Sequence, residues 1–301
     1  MIKALVMFSG GLDSLLAIKI LESQNIDCTA LTFITPFFGE EKAKKQAEKF
    51  GIKFMSKDIS DIHFDIVKNP KYGYGKNLNP CIDCHGLMFH LAGKIAIEQG
   101  FDIVASGEVL GQRTMSQNKQ SLNAVIKLAQ IDILRPLSAK LLPETKYEKE
   151  GLIDRSQLLD IQGKGRYRQI ELAKQFGLKD YEAPGGGCRL TEPGYADKLK
   201  SLLEKFPQDI LPIDAEIIKY GKFKIFDRGF AVMGRDKESN QKLLDTKPDK
   251  KEYILLKLKE TTGPDCLIKN IKNGDYIKDI KVWYKEKVSK LKDESFSFFV
   301  V

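Results

Sequence analysis

The opening fourteen residues constrain the fold more than any other stretch of the chain. The apolar run Ile2-Lys3-Ala4-Leu5-Val6-Met7-Phe8 reads as a buried strand. Ser9-Gly10-Gly11-Leu12-Asp13-Ser14 follows it, and Leu15-Leu16-Ala17-Ile18 reads as the first turns of a helix. A strand, a Gly-rich turn and a helix N-terminus together make an anion site. Two glycines let the backbone fold tightly enough to aim several N–H groups at one point, and the helix dipole adds partial positive charge there. The expected ligand is a phosphate chain. No Gly-Lys-Ser/Thr follows at the spacing of a Walker loop, and the glycines do not form Gly-x-Gly-x-x-Gly. A Gly-Gly turn alone is equally a plain chain reversal, so its surroundings must decide.

Those surroundings alternate. Strands are expected at Ala4–Phe8, Cys28–Phe33, Lys53–Lys57 and Ile103–Ser106, and helices at Asp13–Ser23, Glu40–Phe50, Leu87–Gln99 and Gln120–Gln130. Strands separated by helices imply an α/β fold, a parallel sheet with helices on both faces, and such sheets bind ligands beyond the carboxyl ends of their strands. Ser9 to Ser14 lies at such an end. At 301 residues the chain has room for two compact units. A hydrophobic fraction of 42% and a charged fraction of 30% are those of a soluble globular protein, with no apolar stretch of membrane-spanning length. Met1 to Phe8 is too short for a signal peptide and runs into the loop instead of a cleavage site, so the expected location is cytoplasmic, with no membrane partner.

The middle of the chain is helical and basic around Gly163-Lys164-Gly165-Arg166-Tyr167-Arg168, with a helix expected over Gln169–Phe176, and it reaches a second Gly-rich turn at Pro184-Gly185-Gly186-Gly187-Cys188. Two prolines in Phe206-Pro207-Gln208-Asp209-Ile210-Leu211-Pro212 mark the expected boundary between a domain over 1–205 and a small α+β domain over 214–301. Beyond it strands are expected at Lys222–Ile225, Gly229–Met233 and Tyr253–Lys259. Residues 214–301 hold 20 Lys and Arg against 15 Asp and Glu, five of the net +8 of the chain. That surplus, with a pI near 9.0, suggests an anionic partner.

Five cysteines are an odd number, which argues against a closed disulfide framework. Cys28 and Cys266 sit in apolar contexts and read as core residues. Pro80-Cys81-Ile82-Asp83-Cys84-His85 places two thiols just before a helix, where the dipole favours thiolate. That spacing suits a redox dithiol, half of a zinc site, or two ligands of an iron–sulfur cluster. Cys188, beyond three glycines, and His85 are the candidates for further ligands. His63 and His90 read as packing or surface residues, and His85 as a tuning, RNA-orienting or helix-start residue.

Ser9–Ser14 resembles the S-G-G-x-D-S pyrophosphate loop of enzymes that split ATP between its α- and β-phosphates. Ser106-Gly107-Glu108-Val109-Leu110-Gly111-Gln112-Arg113-Thr114-Met115-Ser116-Gln117 is similar to the T-G-E-x-L-G-Q-x-x-S-Q segment of tRNA 4-thiouridine synthetases, and Ile133-Leu134-Arg135-Pro136-Leu137 to their I-L-R-P-L run. Asn79-Pro80-Cys81-Ile82-Asp83-Cys84-His85 resembles the N-P-D-x-x-C-N segment of tRNA 2-thiouridylases, with Cys81 at the Asp position and His85 at the Asn position. Gly165-Arg166-Tyr167-Arg168-Gln169-Ile170-Glu171-Leu172-Ala173 and Gly186-Gly187-Cys188-Arg189-Leu190-Thr191 resemble the G-R-x-R-x-Q-I-x-L-A and G-G-C-x-L-T patterns of one branch of these enzymes. Over roughly residues 1–205 the chain thus resembles the iron–sulfur-dependent branch of the pyrophosphate-loop (PP-loop) tRNA thiouridine synthetase family.

The resemblance implies an ATP-dependent tRNA sulfurtransferase that forms thiouridine, 4-thiouridine favoured over 2-thiouridine, with release of AMP and pyrophosphate. It places the ATP phosphates on Ser9, Gly10, Gly11, Asp13 and Ser14, with Mg2+, adenine near Thr32 and Phe33, and Gly107 and Gln112 in the nucleotide site. Lys3, Arg113 and Arg135 are candidate phosphate contacts. Asp13, Cys81, Cys84 and Cys188 are the expected catalytic residues, the three cysteines holding a 4Fe-4S cluster. tRNA and a sulfide or persulfide donor are the implied partners, and a homodimer is a candidate assembly.

Asp227-Arg228-Gly229-Phe230 through Gly234-Arg235-Asp236-Lys237-Glu238-Ser239-Asn240, with Thr262-Gly263-Pro264, resembles the RNA-binding module of NFACT proteins. With the loop starting at Ser9, no THUMP-type domain is expected ahead of it, and the C-terminal segment is the expected substitute. The competing readings are a PP-loop transferase of sulfur or ammonia to a small molecule, and an RNA-binding protein with structural zinc.

Overall fold

Alternation in Lys3–Met7, strand β1, sends Ala4 and Val6 to one face and Leu5 to the other, each into a different apolar cluster. The computed structural model describes residues 1–182, 187–249, 251–258, 263–271, 277–288 and 298–300. They form two compact units, Met1–Thr191 and Glu192–Val301. In the first unit β1 is followed by α1 (Leu12–Glu22), β2 (Asp27–Ile34), α2 (Glu41–Lys49), β3 (Lys53–Asp58), α3 (Ser60–Lys68), α4 (Cys81–Gln99), β4 (Ile103–Ser106), α5 (Lys119–Ala129), the single turn α6 (Lys146–Lys149) and α7 (Tyr167–Gln175).

The four strands are parallel in the order β3-β2-β1-β4. The chain steps outward from β1 through β2 to β3 and then returns to the far side of β1. The switch point therefore falls between β1 and β4, where a crevice opens at the carboxyl ends of strands. Met7 pairs with Ser106, so the segments after Met7 and after Ser106 leave the sheet side by side. Leu134 extends this edge, since Ser106 N donates to Leu134 O at 2.9 Å and Leu134 N to Val104 O at 2.9 Å. One face is covered by α1, α2 and the region of α7, the other by α4 and α5.

The expected α/β sheet is present, with strands shifted by at most a residue or so. Two differences bear on the site. α3, not foreseen, packs Phe64 and Val67 inside. α4 begins at Cys81 and not at Leu87, so the paired thiols are inside the first turn of the helix, because Pro80 starts it and Gly86 does not break it.

The second unit comprises α8 (Pro193–Lys205), α9 (Pro212–Ile217), β5 (Gly221–Phe226), β6 (Gly229–Gly234), α10 (Lys237–Asp245), β7 (Tyr253–Leu258), β8 (Cys266–Asn270), α11 (Ile277–Lys287) and β9 (Phe298–Val300). Its sheet is antiparallel, in the order β5-β6-β8-β7-β9. The division lies at Thr191/Glu192 and not near Phe206: α8 belongs with the second unit, where Tyr195 donates to Ala215 O at 2.6 Å and Leu199 and Leu202 are buried. Of the expected Tyr253–Lys259 strand, Lys259 lies outside the described residues, as does Thr262. Among the described residues no helix is long and apolar enough to cross a membrane.

A buried ion pair ties this unit together. Lys269 donates to Asp214 Oδ2 at 2.7 Å and to Asp209 O at 3.0 Å, while Tyr253 donates to Asp214 Oδ1 and Leu211 N to Oδ2. Removing the ammonium alone leaves a buried carboxylate without its counter-charge, which costs about 3–5 kcal/mol. Lys269→Met should therefore lower the urea midpoint reported by the single tryptophan, Trp283, which is buried in this unit. Asp214→Asn added to Lys269→Met should restore most of that stability. An unchanged midpoint in Lys269→Met would show that the pair carries no stability.

Candidate nucleotide and thiol site

At the end of β1, Phe8 N donates to Leu31 O at 2.8 Å and Thr32 Oγ1 donates to Phe8 O. The chain then turns through Gly10 at φ +71°, and a Cβ there would lie 2.9 Å from Ala43 Cα, so only glycine fits both the backbone and the space. Gly11 is the N-cap of α1 and supplies no capping side chain, which leaves the N–H groups of the first turn for a ligand. Ser14 Oγ donates back to Gly11 O at 2.8 Å. Gly107, from the segment after β4, lies directly against this turn: a Cβ on it would be 2.5 Å from Asp13 O and Ser14 N. The two strand-end segments therefore touch through backbone.

That approach delivers side chains to Asp13. Gln112 Nε2 donates to Asp13 Oδ2 at 2.7 Å, and Arg166 donates to the same oxygen at 3.3 Å. Gln169 Nε2 donates to Gln112 Oε1 at 3.2 Å. Gly163 N donates to Leu110 O at 2.7 Å, fixing the strand-end segment to the stretch that carries Arg166. Asp13 Oδ1 is buried with no partner. Sequence reading singles out the Gly165–Ala173 pattern but places neither Arg166 nor Gln169 in the nucleotide site; the closing of that pattern onto Asp13 depends on tertiary packing.

A second anion sits behind the first. Glu108 is buried, accepting from Arg135 Nε at 2.9 Å and facing His85 Nδ1 at 2.8 Å, with Ser106 Oγ 3.3 Å away. Burial alone would push this carboxyl up, but the Arg135 guanidinium and the His85 hydrogen bond outweigh it and bring it down to about 2. Arg135 is thus committed to Glu108 and is 3% exposed, which corrects its expected role as a phosphate contact. Lys3 opens β1 at the opposite end of the strand from the loop, which removes it as well. Arg113 is exposed in the segment after β4. Phe33 has its ring in the core, and Thr32 stands beside the loop.

Cys81 and Cys84, three residues apart in the first turn of α4, share one helix face. Asn79 Nδ2 donates to Cys81 Sγ at 3.1 Å, and His63 Nε2 is 3.1 Å from Cys84 Sγ. Burial, then the nearby Cys188 and Cys81 thiols, push the Cys84 thiol well up. The helix dipole does not win there, against the expectation of a lowered pKa. Cys188 is held by Thr191 N, which donates to Cys188 O at 3.1 Å, and by Arg189 N, which donates to Phe37 O at 3.0 Å. Pro184, Gly185 and Gly186 lie outside the described residues. Among the described residues no three His, Cys, Asp or Glu side chains converge on a single metal-ion position. Cys28 and Cys266 are core residues, and burial raises the Cys28 thiol to about 12. His63 packs against Phe37, and burial lowers it to about 4, while His90 Nδ1 is 3.2 Å from Ala129 O.

The Glu108 pair has a pH signature. Its folded value lies below the ordinary 4.5, so its contribution is present above pH 4.5 and fades as the pH falls toward 2. The size is about 3 kcal/mol. Glu108→Gln should be destabilised at pH 7 and should lose less stability than wild type between pH 4.5 and 2, measured by urea unfolding followed by circular dichroism. Equal acid slopes would show that the pair is not linked to folding.

Residues 2–141 match the family described as "Thiamine biosynthesis protein (ThiI)". A "tRNA sulfurtransferase" of Desulfurococcus amylolyticus is 23% identical over 75% of this chain and 43% of its own length. A "tRNA-specific 2-thiouridylase MnmA" of Treponema denticola is 34% identical over 35% of this chain and 32% of its own. The chain thus spans less than half the length of these relatives. A crystal structure titled as a 4-thiouridine synthetase–RNA complex with bound ATP aligns at a TM-score of 0.40 and 20% identity, over 71% of this chain and 53% of that chain, too loose a likeness to bear on function. Residues 2–141, a little under half of the chain, are thus similar to the ThiI family.

Proposed function

We propose that the protein is an ATP-dependent tRNA sulfurtransferase that converts a uridine to thiouridine, at the 4-position. The observation that carries this reading is the Asp13 carboxylate: one oxygen is held by Gln112 and Arg166, and the other is buried and unpartnered beside an uncapped helix N-terminus. A lone carboxylate oxygen at that place suits Mg2+, a hard cation that takes oxygen ligands and bridges phosphates. ATP would bind with its phosphates on Ser9–Ser14, and Arg166 would balance charge developing at the α-phosphate. The uracil carbonyl oxygen attacks the α-phosphorus, pyrophosphate leaves and the N3 proton is released. Sulfide from the donor then adds to the ring carbon and AMP departs with the former carbonyl oxygen. A carbonyl oxygen is a poor leaving group and AMP a good one, which is why the exchange needs ATP.

Cys81, Cys84 and Cys188 are the proposed donor set for a 4Fe-4S cluster, Cys84 being in the field of both other thiols. Bound there, a cluster would offer one iron not ligated by protein, to which sulfide can bind. The second unit, with its lysine surplus and its NFACT-like resemblance, is the proposed source of phosphate contacts to tRNA.

Asp13→Asn should abolish thiolation while leaving tRNA binding within a few-fold, and wild type should release AMP and pyrophosphate. Release of ADP and phosphate would refute the reading. Mass spectrometry of the nucleosides separates 4- from 2-thiouridine. Anaerobic Cys81→Ala, Cys84→Ala and Cys188→Ala proteins should each lose most iron, and Cys28→Ala and Cys266→Ala should keep it. Zinc in anaerobic wild type would favour a structural site.

A further inference from the structure

Between α3 and α4 the chain runs Lys68-Asn69-Pro70-Lys71-Tyr72-Gly73-Tyr74-Gly75-Lys76-Asn77, and residues 66–82 hold three lysines and no carboxylate. Tyr72 and Tyr74 are each 42% exposed. The loop is nevertheless tied down. Asp83, between the two cysteines of α4, accepts Lys71 N at 3.0 Å on one oxygen and Tyr72 N at 2.9 Å on the other. Gly75 N donates to Asn79 O at 2.8 Å, Asn77 N to Asn79 Oδ1 at 3.1 Å, and Asn77 Nδ2 to Thr191 O at 2.7 Å. Tyr74 is folded back, its hydroxyl donating to Val67 O at 2.7 Å. Tyr72 makes no such bond, and the ammonium of Lys71 lies 5.9 Å from its ring centroid.

An exposed aromatic ring normally marks a ligand surface when its backbone is fixed, because little conformational entropy remains to be given up on binding. Lysines around such a ring, with no acid in the same loop, favour a polyanion whose units carry flat faces. Single-stranded nucleic acid meets both requirements, with phosphates for the lysines and a base for the ring. We propose that Tyr72 is a stacking platform for an unpaired RNA base, held beside the thiol-bearing turn by the carboxylate of Asp83. This rests on the reading of RNA as the substrate. It adds that the first unit itself grips a base next to Cys81 and Cys84, through a residue that takes no part in ATP binding.

The test uses the full chain with a synthetic decauridylate and with the same oligomer carrying one central 5-iodouridine. Tyr72→Ala should bind decauridylate roughly tenfold or more weakly. Tyr72→Phe should stay within about twofold of wild type, and Tyr72→Trp should bind at least as well. Near-ultraviolet irradiation of the iodinated oligomer should crosslink it to the peptide containing Tyr72. Lys71→Ala with Lys76→Ala should flatten the salt dependence, by roughly 0.7 in log–log slope for each phosphate no longer neutralised. Unchanged binding by Tyr72→Ala, with crosslinks only elsewhere, overturns this proposal and leaves the tRNA reading standing. No RNA binding by the wild-type chain overturns both, and binding to anionic phospholipid vesicles without any RNA crosslink overturns the stacking role.

Discussion

The first unit depends on a close approach that has no side chain in it. Gly107 presses its Cα against the backbone of Asp13 and Ser14, and any Cβ would stand 2.5 Å from three of their atoms. Two parallel strands that are neighbours in a sheet lie about 4.8 Å apart, so the segments leaving them must either diverge or touch through backbone. Here they touch. The segment that makes this contact carries Glu108 and Gln112, one and five residues on. Gln112 reaches forward to Asp13, and Glu108 turns back to His85 and Arg135.

Burial then acts in opposite directions on two groups a short way apart. Glu108 is desolvated but receives a guanidinium and an imidazole, and it stays ionised far below ordinary carboxylate values. Cys84 is desolvated and faces other thiols and a neighbouring carboxylate, so it is held neutral in the free protein. The same low-dielectric surroundings thus keep one anion permanently and withhold another. A metal centre would reverse the second case, since coordination deprotonates a thiol outright. Cys84 therefore becomes a good nucleophile or ligand only together with a cation.

Much of this is legible in the sequence. The strand–Gly-Gly–helix opening specifies the loop, and alternating segments specify a parallel sheet, because both signals are local. Cys28 and Cys266 can be set apart from the other cysteines by their apolar neighbours. The roles of Glu108, His85, Arg166 and Gln169 are not legible, since each depends on a partner between 23 and 153 positions away that only the packed sheet brings near. Arg135 misleads because a basic residue near a phosphate loop looks like a phosphate contact until its burial partner is known. The first turn of α4 falls earlier than expected because Gly86 counts against helix in sequence, although tertiary packing overrides a single glycine whose cost is about 1 kcal/mol.

The pattern of unsatisfied polar atoms shows where the fold carries its cost. Among the described residues, the buried side-chain atoms without a partner are Asp13 Oδ1, Gln46 Oε1, His63 Nδ1, Gln117 Oε1, Arg135 Nη2, Gln169 Oε1 and Asn270 Oδ1. Asp13 belongs to the phosphate loop, Gln169 bonds to Gln112 beside it and His63 packs beside Cys84, whereas Asn270 lies in the second unit. An unmade hydrogen bond of this kind costs about 1–3 kcal/mol, so each needs a reason to persist. At Asp13 the unmet atom is an acceptor beside the N–H groups of a helix start, and a bound molecule that carries phosphate and a metal ion would use both. The unpartnered Asp13 oxygen, beside an uncapped helix N-terminus, therefore argues for a ligand at this loop on grounds independent of any motif, at the switch point where the topology of the sheet places the crevice.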